Sequence, residues 1–293
     1  MFATLIEMHL KINSSVLMSD VSNFDNSAAI NPYMGADEPI DKNLAQQEHD
    51  AIHTALNAAG VTVTQVPSPI GCQDGVYTAN WALVLGSRAI MSRLPNARQA
   101  EEVYAQTVLK ALGTDIVLTP DNLRFSGQGD ALPCGQYLFC GSQYRTDLAV
   151  HDFLAAETGL EVVSLQTVPQ LDDAGQPVIN SASGWPDSFF YDIDLALSVL
   201  SPELIAWCPE AFMPESQEKL RALPIEKIEI SLQEATEAFA CNLVSTGETV
   251  IMSAHAPKFK AELESRGLQI ITPEINELAK GGGYIRCTTL SLS

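Results

Sequence analysis

Length, composition and charge exclude several classes of protein. The chain has 293 residues, of which 46% are hydrophobic and 18% are charged, so it holds enough apolar material for one large core. No stretch approaches the roughly 18 consecutive apolar residues of a membrane-spanning helix. The formal net charge of −20 repels phosphate backbones and anionic lipids, so nucleic acids and membranes are poor partners. A negative surface favours a small cationic substrate, although solubility alone also explains it.

The first residues and the cysteines indicate a cytoplasmic protein. Residues 1–7 lack a basic n-region and carry Glu7 early, which is atypical of a secretory signal peptide. The six cysteines are scattered along the chain without a CxxC pair. This pattern favours reduced thiols over a disulfide framework or a zinc site.

Apolar spacing and glycine stops predict a repeated unit of two strands, a helix and a third strand. Apolar residues three and four positions apart favour helices, and a glycine after the last turn is a typical cap. In chain order, the predicted elements are a helix at 44–59, strands at 81–85 and 89–91, a helix at 97–112, strands at 116–118, 131–132 and 137–139, a helix at 146–157, strands at 160–163, 204–207, 225–230, 242–244 and 249–252, a helix at 257–266 and a strand at 268–271.

The repeat also predicts the domain organisation. Its period of roughly 50 residues indicates a repeat or propeller architecture of about five units. No linker or low-complexity stretch divides the chain. We therefore predict a single α/β propeller domain over residues 15–293, preceded by an N-terminal extension over residues 1–14.

The segment with the strongest chemical signal is Gly281-Gly282-Gly283, which precedes Cys287. Glycines let a backbone approach a ligand closely or adopt positive φ. They deliver Cys287 onto a short predicted strand of alternating character. A cysteine on a strand is either a small buried hydrophobe or a nucleophile, and the local pattern leaves both interpretations open.

The pattern Gly-Gly-x-x-x-Cys-x-Thr-Leu at 282–290 resembles the nucleophile segment of the guanidine-modifying enzymes. These include dimethylargininases, arginine deiminases, amidinotransferases and arginine dihydrolases. Four further segments match in order across nearly the whole chain after the first dozen residues, at 30–34, 74–80, 92–101 and 144–147. The resemblance implies a five-bladed α/β propeller (pentein) of ββαβ units, in agreement with the repeat.

The resemblance also implies roles for individual residues. A guanidinium is a poor electrophile, so a thiolate attacks its central carbon only when polar groups orient the plane. A cationic substrate can itself favour the thiolate. The implied nucleophile is Cys287. The implied substrate-binding residues are Asp74, Asn80, Ser126 and Asp130, with Asp192 also gripping the guanidinium and Arg98 and Arg145 receiving the α-carboxylate.

Two positions depart from the family pattern. The family carries Glu before the Gly-x-Gly-Asp stretch, where this chain has Ser126, and His in its Tyr-His-x-Asp stretch, where this chain has Asp192. A serine cannot neutralise a guanidinium. An aspartate is a poor proton donor at neutral pH unless its pKa is strongly raised. We nevertheless expect Asp192 to be the catalytic partner of Cys287.

The histidines offer alternative acid–base groups. His9 lies in the extension. His49 and His53 are spaced i, i+4 on the first helix, as in some metal sites, but an exposed helix surface explains them better because no third ligand is near. His151 is predicted at a surface or hydrogen-bonded position, and His255 lies in a loop that could approach a central site.

Three functions fit these observations. The first is a cofactor-independent hydrolase of arginine or an arginine derivative, acting through a covalent Cys287 adduct. Asn80 resembles the branch that hydrolyses arginine twice. The second is a guanidino-binding protein without turnover, because Ser126 and Asp192 replace the family residues. The third is an enzyme for another amidine or ureido compound, with Asp192 as the acid. No metal is expected in any of them, and homo-oligomerisation stays open.

Overall fold

The computed structural model describes residues 11–34, 39–95, 98–181 and 184–293. Six α-helices lie within these ranges: α1 (Lys42–Ala58), α2 (Gln99–Ala111), α3 (Val150–Thr158), α4 (Pro214–Ala222), α5 (Leu232–Glu237) and α6 (Pro257–Ser265). The same ranges contain fifteen strands: β1 (Ser15–Ser19), β2 (Thr62–Val66), β3 (Ala82–Leu85), β4 (Arg88–Met91), β5 (Asp115–Leu118), β6 (Ala131–Cys134), β7 (Tyr137–Cys140), β8 (Glu161–Ser164), β9 (Leu197–Ser201), β10 (Leu204–Trp207), β11 (Glu226–Glu229), β12 (Val244–Ser245), β13 (Thr249–Ile251), β14 (Gln269–Ile271) and β15 (Leu290–Ser291).

The strands form five three-stranded sheets of one topology. Their orders are β15-β1-β2, β3-β4-β5, β6-β7-β8, β9-β10-β11 and β12-β13-β14. In each sheet the central strand pairs antiparallel with the first strand and parallel with the third. A helix links the two parallel strands, since a parallel pair needs a crossover connection. The predicted five-bladed α/β propeller of ββαβ units is confirmed.

The first blade joins the two ends of the described chain. β15 pairs antiparallel with β1, where Leu290 lies opposite Leu17. Both leucines are fully buried, so apolar packing reinforces the backbone hydrogen bonds that close the ring.

The first strand of each blade is the inner one. β3, β6, β9 and β12 are largely buried, whereas the third strands β5, β11 and β14 are partly exposed. The inner strands also contact one another from blade to blade, as β6 does with β9 and β9 with β12. Residues that immediately precede the inner strands therefore meet at one end of the propeller axis.

The predicted strand at Cys287 is wrong. Residues 285–288 form a turn, and β15 begins only at Leu290. The reason is local hydrogen bonding, because the amide of Cys287 donates to the side chain of Asn242 at 3.0 Å instead of to a neighbouring strand. The same side chain keeps residue 242 out of the predicted strand 242–244, and β12 begins at Val244.

Two further helix predictions need correction. The helix predicted from residue 146 begins at Val150, because the hydroxyl of Thr146 accepts a hydrogen bond from the amide of Ser126 at 3.2 Å. His49 is fully buried and not on an exposed face, because it shares the buried stripe of α1 with Ala45 and Ile52. The predicted first residue of the second helix, Ala97, lies outside the described residues.

The N-terminal boundary of the domain stays a prediction, since residues 1–10, including Glu7 and His9, lie outside the described ranges. Ile12 donates its amide to the carbonyl of Thr246 at 3.3 Å, and Ser14 to that of Ser293 at 2.8 Å. Among the described residues, none of the helices has the length and apolar character to cross a bilayer. The described part of the chain also holds no group of three or more His, Cys, Asp or Glu side chains suited to a metal ion.

Closing the ring through β15 makes Leu290 a test of the architecture. Leu290→Ala removes a fully buried side chain and should lower the free energy of unfolding by about 2–5 kcal/mol, the usual cost of such a cavity. Leu118→Ala is the matched control, since Leu118 is 55% exposed and its loss should cost less than about 0.5 kcal/mol. Urea unfolding followed by circular dichroism measures both, and equal losses would contradict the closure.

Candidate active site

The candidate site lies where the five inner strands begin. Each blade places one polar residue within a few positions before its inner strand, and all five residues are between 0% and 3% exposed. They are Asn80 before β3, Asp130 before β6, Asp194 before β9, Asn242 before β12 and Cys287 before β15. The repeated topology thus gathers side chains that are far apart in the sequence.

Asn242 holds both the turn and the thiol of the cysteine. Its Oδ1 accepts hydrogen bonds from the amides of Tyr284 at 3.2 Å and Cys287 at 3.0 Å. Its Nδ2 donates to the Sγ of Cys287 at 3.2 Å. A side-chain amide is both donor and acceptor, so one residue sets the backbone and the sulfur together.

The glycine run lets Tyr77 pack against the turn. A Cβ atom at Gly283 would lie 2.5 Å from the Cε1 of Tyr77 and 2.8 Å from the Cβ of Cys287. One at Gly281 would lie 2.1 Å from the Tyr77 hydroxyl, which donates to the carbonyl of Leu278. Gly282 has φ +87°, a conformation that side chains disfavour. The sequence predicts that these glycines let a ligand approach the backbone closely. In the structure the ring of Tyr77 occupies that position.

The carboxyl group of Asp194 contacts the sulfur. Its Oδ2 lies 3.5 Å and its Oδ1 3.9 Å from the Sγ of Cys287. Burial raises the pKa of Asp194 well above its usual value, and the charge of Asp192 raises it further, while Arg286 opposes the shift. Burial, Asp194 and Asp192 likewise raise the pKa of the Cys287 thiol, against the hydrogen bond from Asn242. The resting site therefore favours a protonated thiol beside a protonated carboxyl group.

Asp192 is the centre of a buried polar network. Its Oδ2 accepts a hydrogen bond from the Nδ2 of Asn80 at 2.7 Å, and its Oδ1 accepts one from the hydroxyl of Ser126 at 2.9 Å. The Nη1 of Arg145 lies 3.6 Å from the same Oδ2. The two positions that depart from the family pattern are thus bonded to each other. Gly129 makes room for the network, since a Cβ there would lie 2.4 Å from the Nδ2 of Asn80.

Asp130 supports the backbone of the same segment. Its Oδ1 accepts a hydrogen bond from the amide of Ile193 at 2.9 Å. Burial and the charge of Asp192 raise the pKa of this carboxyl group. A Cβ atom at Gly141 would lie 2.1 Å from the Oδ1 of Asp130, so the carboxyl group is enclosed by the protein.

The guanidinium of Arg98 donates all its observed hydrogen bonds to groups of the protein itself. Its Nε and Nη2 donate to the two carboxylate oxygens of Glu101 at 2.9 and 2.8 Å. Its Nη1 donates to the Oδ1 of Asn80 at 2.7 Å. The Nη2 also reaches the carbonyls of Asp74 at 3.2 Å and Tyr77 at 3.1 Å. All three nitrogens therefore have partners, and the residue fixes the orientation of Asn80.

Arg145 has an unused hydrogen-bond donor near the centre of the site. It is 5% exposed, and its guanidinium carbon lies 3.8 Å from the centroid of the Tyr191 ring. Its Nη2 makes no hydrogen bond with any residue that the structure describes. A buried guanidinium with an unused N–H group is suited to receive a carboxylate.

Asp74 lies beside the network rather than in it. Its Oδ2 accepts a hydrogen bond from the Nε2 of Gln73 at 3.1 Å. Burial raises the pKa of its carboxyl group to about 6, although Arg98 opposes the shift. It lines a cavity of about 370 Å³ together with Arg98 and Glu101. Within the described ranges, no hydrogen bond joins this carboxylate to Asn80 or Cys287.

The histidines do not contact the sulfur in the part of the chain that the structure describes. The side chain of His255 is 54% exposed and lies 3.4 Å from Glu274. His151 is hydrogen-bonded to Ser164 at 2.7 Å and to the carbonyl of Gly141 at 2.9 Å. It therefore occupies the hydrogen-bonded position that the sequence predicts as one of two alternatives.

Sequence reasoning missed two of the groups that touch the thiol. Asp194 stands two residues after Asp192, and this close spacing of acids beside an aromatic pair was a usable signal. Asn242 carries no such signal, since the sequence pattern predicts only the start of a strand there. Only the meeting of two distant inner-strand starts brings it to Cys287.

Comparisons with known proteins agree with this geometry. The family model described as N,N dimethylarginine dimethylhydrolase, eukaryotic, matches residues 19–293. An N(G),N(G)-dimethylarginine dimethylaminohydrolase of Mycobacterium tuberculosis is 33% identical over 90% of this chain and 81% of its own length. The bifunctional arginine dihydrolase/ornithine cyclodeaminase AgrE of Nostoc sp. is 29% identical over 94% of this chain, which spans 37% of that protein.

Among solved structures, the N-terminal domain of ArgZ, a cyanobacterial arginine dihydrolase, superimposes with a TM-score of 0.84 and 28% identity. The superposition covers 95% of this chain and 98% of that domain. A dimethylargininase from Pseudomonas aeruginosa shares the fold at a TM-score of 0.74 and 18% identity, over 94% of this chain and 98% of its own.

The propeller and these matches define a guanidine-modifying enzyme, a hydrolase that cleaves C–N bonds of amidine groups. Within that class the chain belongs to the N,N-dimethylarginine dimethylhydrolase family, whose model covers nearly all of it.

The contact between Asp194 and the sulfur predicts the direction of a pKa change. Asp194 disfavours the thiolate once its own carboxyl group is ionised, so Asp194→Asn should lower the pKa of the Cys287 thiol. The ultraviolet absorbance of the thiolate, taken as the difference from Cys287→Ser, should then appear at lower pH than in the unaltered protein. Asp172→Asn, in an exposed loop, is the control and should leave the midpoint unchanged. An unchanged or higher midpoint in Asp194→Asn would count against the contact.

Proposed function

We propose that this protein hydrolyses the guanidino group of arginine through a covalent adduct on Cys287. The observation that carries the proposal is the buried thiol held by Asn242 and bordered by Asp194, at the axis of a family propeller. A thiol of raised pKa is a weak nucleophile until a cation arrives, and the substrate supplies that cation. The ArgZ domain provides precedent, since one of its variants has been solved covalently bound to a reaction intermediate.

The chemistry divides into two additions at the same carbon. Attack of the Cys287 thiol on the guanidinium carbon, with transfer of the thiol proton to the departing nitrogen, releases one ammonia and leaves a thiouronium adduct. Water then adds to that carbon and the sulfur leaves as the thiol, which gives citrulline and one proton. A second round of attack and hydrolysis then acts on citrulline. Over both rounds, arginine and two waters give ornithine, carbon dioxide and two ammonia molecules.

The geometry favours Asp194 over Asp192 for the proton transfers. Asp194 contacts the sulfur and its raised pKa keeps a proton available, which suits a general acid near neutral pH. Asp192 instead accepts hydrogen bonds from Asn80 and Ser126 and forms an ion pair with Arg145 at 3.6 Å. We therefore assign it to binding of the guanidinium, together with Asp130 and Ser126 behind it.

We assign the substrate's α-carboxylate to Arg145 alone. Its unpaired Nη2 supports this role, whereas the full set of partners around Arg98 supports a positioning role for that residue. Asp74, with no described bond to the network, is proposed to bind the polar tail of the substrate from the side.

Arginine is the preferred substrate in this proposal. Asn80 resembles the dihydrolase branch, and the N-terminal domain of ArgZ has been solved with its substrate bound. The Mycobacterium tuberculosis relative is described as acting on dimethylarginine, so the methylated substrate is the comparison to make.

Incubation with arginine, agmatine and dimethylarginine tests the proposal. Arginine should give citrulline or ornithine with ammonia, and Cys287→Ala should lower the rate by roughly 10³-fold or more, as loss of a nucleophile does. Mass spectrometry of the quenched reaction should find the adduct on the peptide that contains Cys287. Cys208→Ala, another buried cysteine outside the site, should keep the activity. No product from any substrate, with the fold intact, would refute the proposal.

The role of Arg145 has its own test, because agmatine lacks the carboxylate of arginine. Arg145→Met should raise KM for arginine by about 10- to 100-fold, the value of a charge-assisted hydrogen bond. KM for agmatine should change by a clearly smaller factor, because the variant loses the ion pair with Asp192 but agmatine has no carboxylate to lose its partner. Arg221→Met, on the exposed face of α4, is the matched control. An equal effect on both substrates would remove Arg145 from carboxylate recognition.

A second candidate is a guanidino-binding protein without turnover. The bond between Ser126 and Asp192, which replaces an acid–base pair, favours it. Arginine would then raise Tm without product, and Cys287→Ala would bind arginine equally well.

A third candidate acts on another ureido or amidine compound with Asp192 as the acid, and a pH–rate profile that shifts in Asp192→Asn but not in Asp194→Asn would favour it.

A further inference from the structure

A second cavity lies along the propeller axis, beyond the site. Its volume is about 250 Å³, roughly eight times the volume of a water molecule in the liquid. Residues of the inner strands line it, including Val84, Leu132, Leu197 and Val199, together with Asp194 and Arg286, which precede such strands. Asn80, Asp130, Asp192 and Cys287 do not line it, so the cavity borders the site through Asp194 and Arg286.

Arg286 is a buried cation in the wall of this cavity. It is 8% exposed, and no carboxylate in the described ranges lies within ion-pair distance of its nitrogens. Its Nη1 donates to the carbonyl of Thr289 and its Nη2 to the Oε1 of Gln128, both at 2.9 Å. A guanidinium has five N–H donors, so these two bonds leave three. Arg98, which is also buried, is different, since it pairs with Glu101 at 2.8 Å.

Burying a charged guanidinium without a counter-ion costs free energy, so a negatively charged partner would stabilise Arg286 at this position. Asp194 also lines the cavity, but burial raises its pKa well above the usual value, which favours its uncharged form. Lys11 is the other charged residue at this wall. The charged side chains of the described wall are thus two basic groups and one acidic group, whereas acidic residues outnumber basic ones in the chain as a whole.

The remaining surface of the cavity is mostly apolar, with one unused hydroxyl. Leu132, Leu197 and Val199 form apolar walls. Ser198 also lines the cavity, and its buried Oγ makes no hydrogen bond with any described residue. A ligand with an anionic head and a short aliphatic body would match both parts of the surface.

We propose that this cavity binds a small aliphatic carboxylate, whose carboxylate group pairs with Arg286 while its apolar body packs against Leu132, Leu197 and Val199. The carboxylate fork matches the planar guanidinium in geometry and charge. Ser198 supplies a hydroxyl that can donate to the same ligand.

The cavity and the thiol share two neighbouring groups. Arg286 directly precedes Cys287, and Asp194 both lines the cavity and contacts the sulfur. An occupied cavity should therefore change the reactivity of Cys287. This consequence rests on the proposed function, whereas binding itself does not.

Isothermal titration calorimetry with isocaproate tests the binding. Isocaproamide, of nearly the same shape but neutral, should bind at least about tenfold more weakly, since a charged hydrogen bond is lost. Arg286→Met should abolish the preference for the carboxylate, and Arg221→Met should keep it. Equal binding of the two compounds, or no binding of isocaproate, overturns the proposal.

The active site offers a competing position for a carboxylate, at Arg145. Arg145→Met should therefore retain isocaproate binding, and loss of binding there with retention in Arg286→Met overturns the proposal. Methyl NMR of the unaltered protein covers the case in which Arg286→Met does not fold. Isocaproate should shift the signals of Leu132, Leu197 and Val199, and shifts confined to the neighbourhood of Arg145 also overturn it.

The experiment separates this inference from the proposed function. A protein that hydrolyses arginine but ignores isocaproate refutes the cavity alone. A protein without turnover that still binds isocaproate through Arg286 refutes the proposed function alone.

Discussion

The stabilisation of one buried carboxylate governs the arrangement of the site. Asp192 is fully enclosed, and two hydrogen bonds and an arginine surround it. A buried charge is tolerated only when paired and hydrogen-bonded, so Asn80, Ser126 and Arg145 must converge on it. Arg98 and Glu101 in turn hold Asn80. The negative charge of Asp192 raises the pKa of Asp130, Asp194 and Cys287, and this leaves the site ready for a cation.

The same electrostatics gives a physical account of the two unusual positions. The hydroxyl of Ser126 donates to Asp192, so the two side chains hold each other in one fixed arrangement. The group able to exchange a proton beside the sulfur is then Asp194, whose pKa is raised. Binding of a cation would favour ionised carboxyl groups and the thiolate together, and in the proposed mechanism this couples recognition of the substrate to activation of the thiol.

The propeller makes this concentration of acids possible. Because every blade starts its inner strand at the same end of the axis, each can place one polar residue there without disturbing the apolar packing between blades. The acids are buried but not isolated, since the residues around them come from other blades and are held by their own hydrogen bonds. The cavity beside Arg286 is different, because apolar residues of the inner strands line it around a buried guanidinium.

The sequence by itself determined the architecture, the segment around Cys287 and most of the residues that meet at the axis, because strand and helix periods, glycine stops and the Gly-Gly-x-x-x-Cys pattern are local features. It did not determine how those residues are used. Arg98 and Arg145 looked equivalent as carboxylate receptors, yet only Glu101 and Asn80, brought together by folding, distinguish the first. The turn at Cys287, the burial of His49 and the partnership of Asn242 with the sulfur were decided by tertiary structure alone. Each depends on a hydrogen bond or a packing face supplied by residues distant in the chain, and such contacts leave no periodic trace in the segment that receives them.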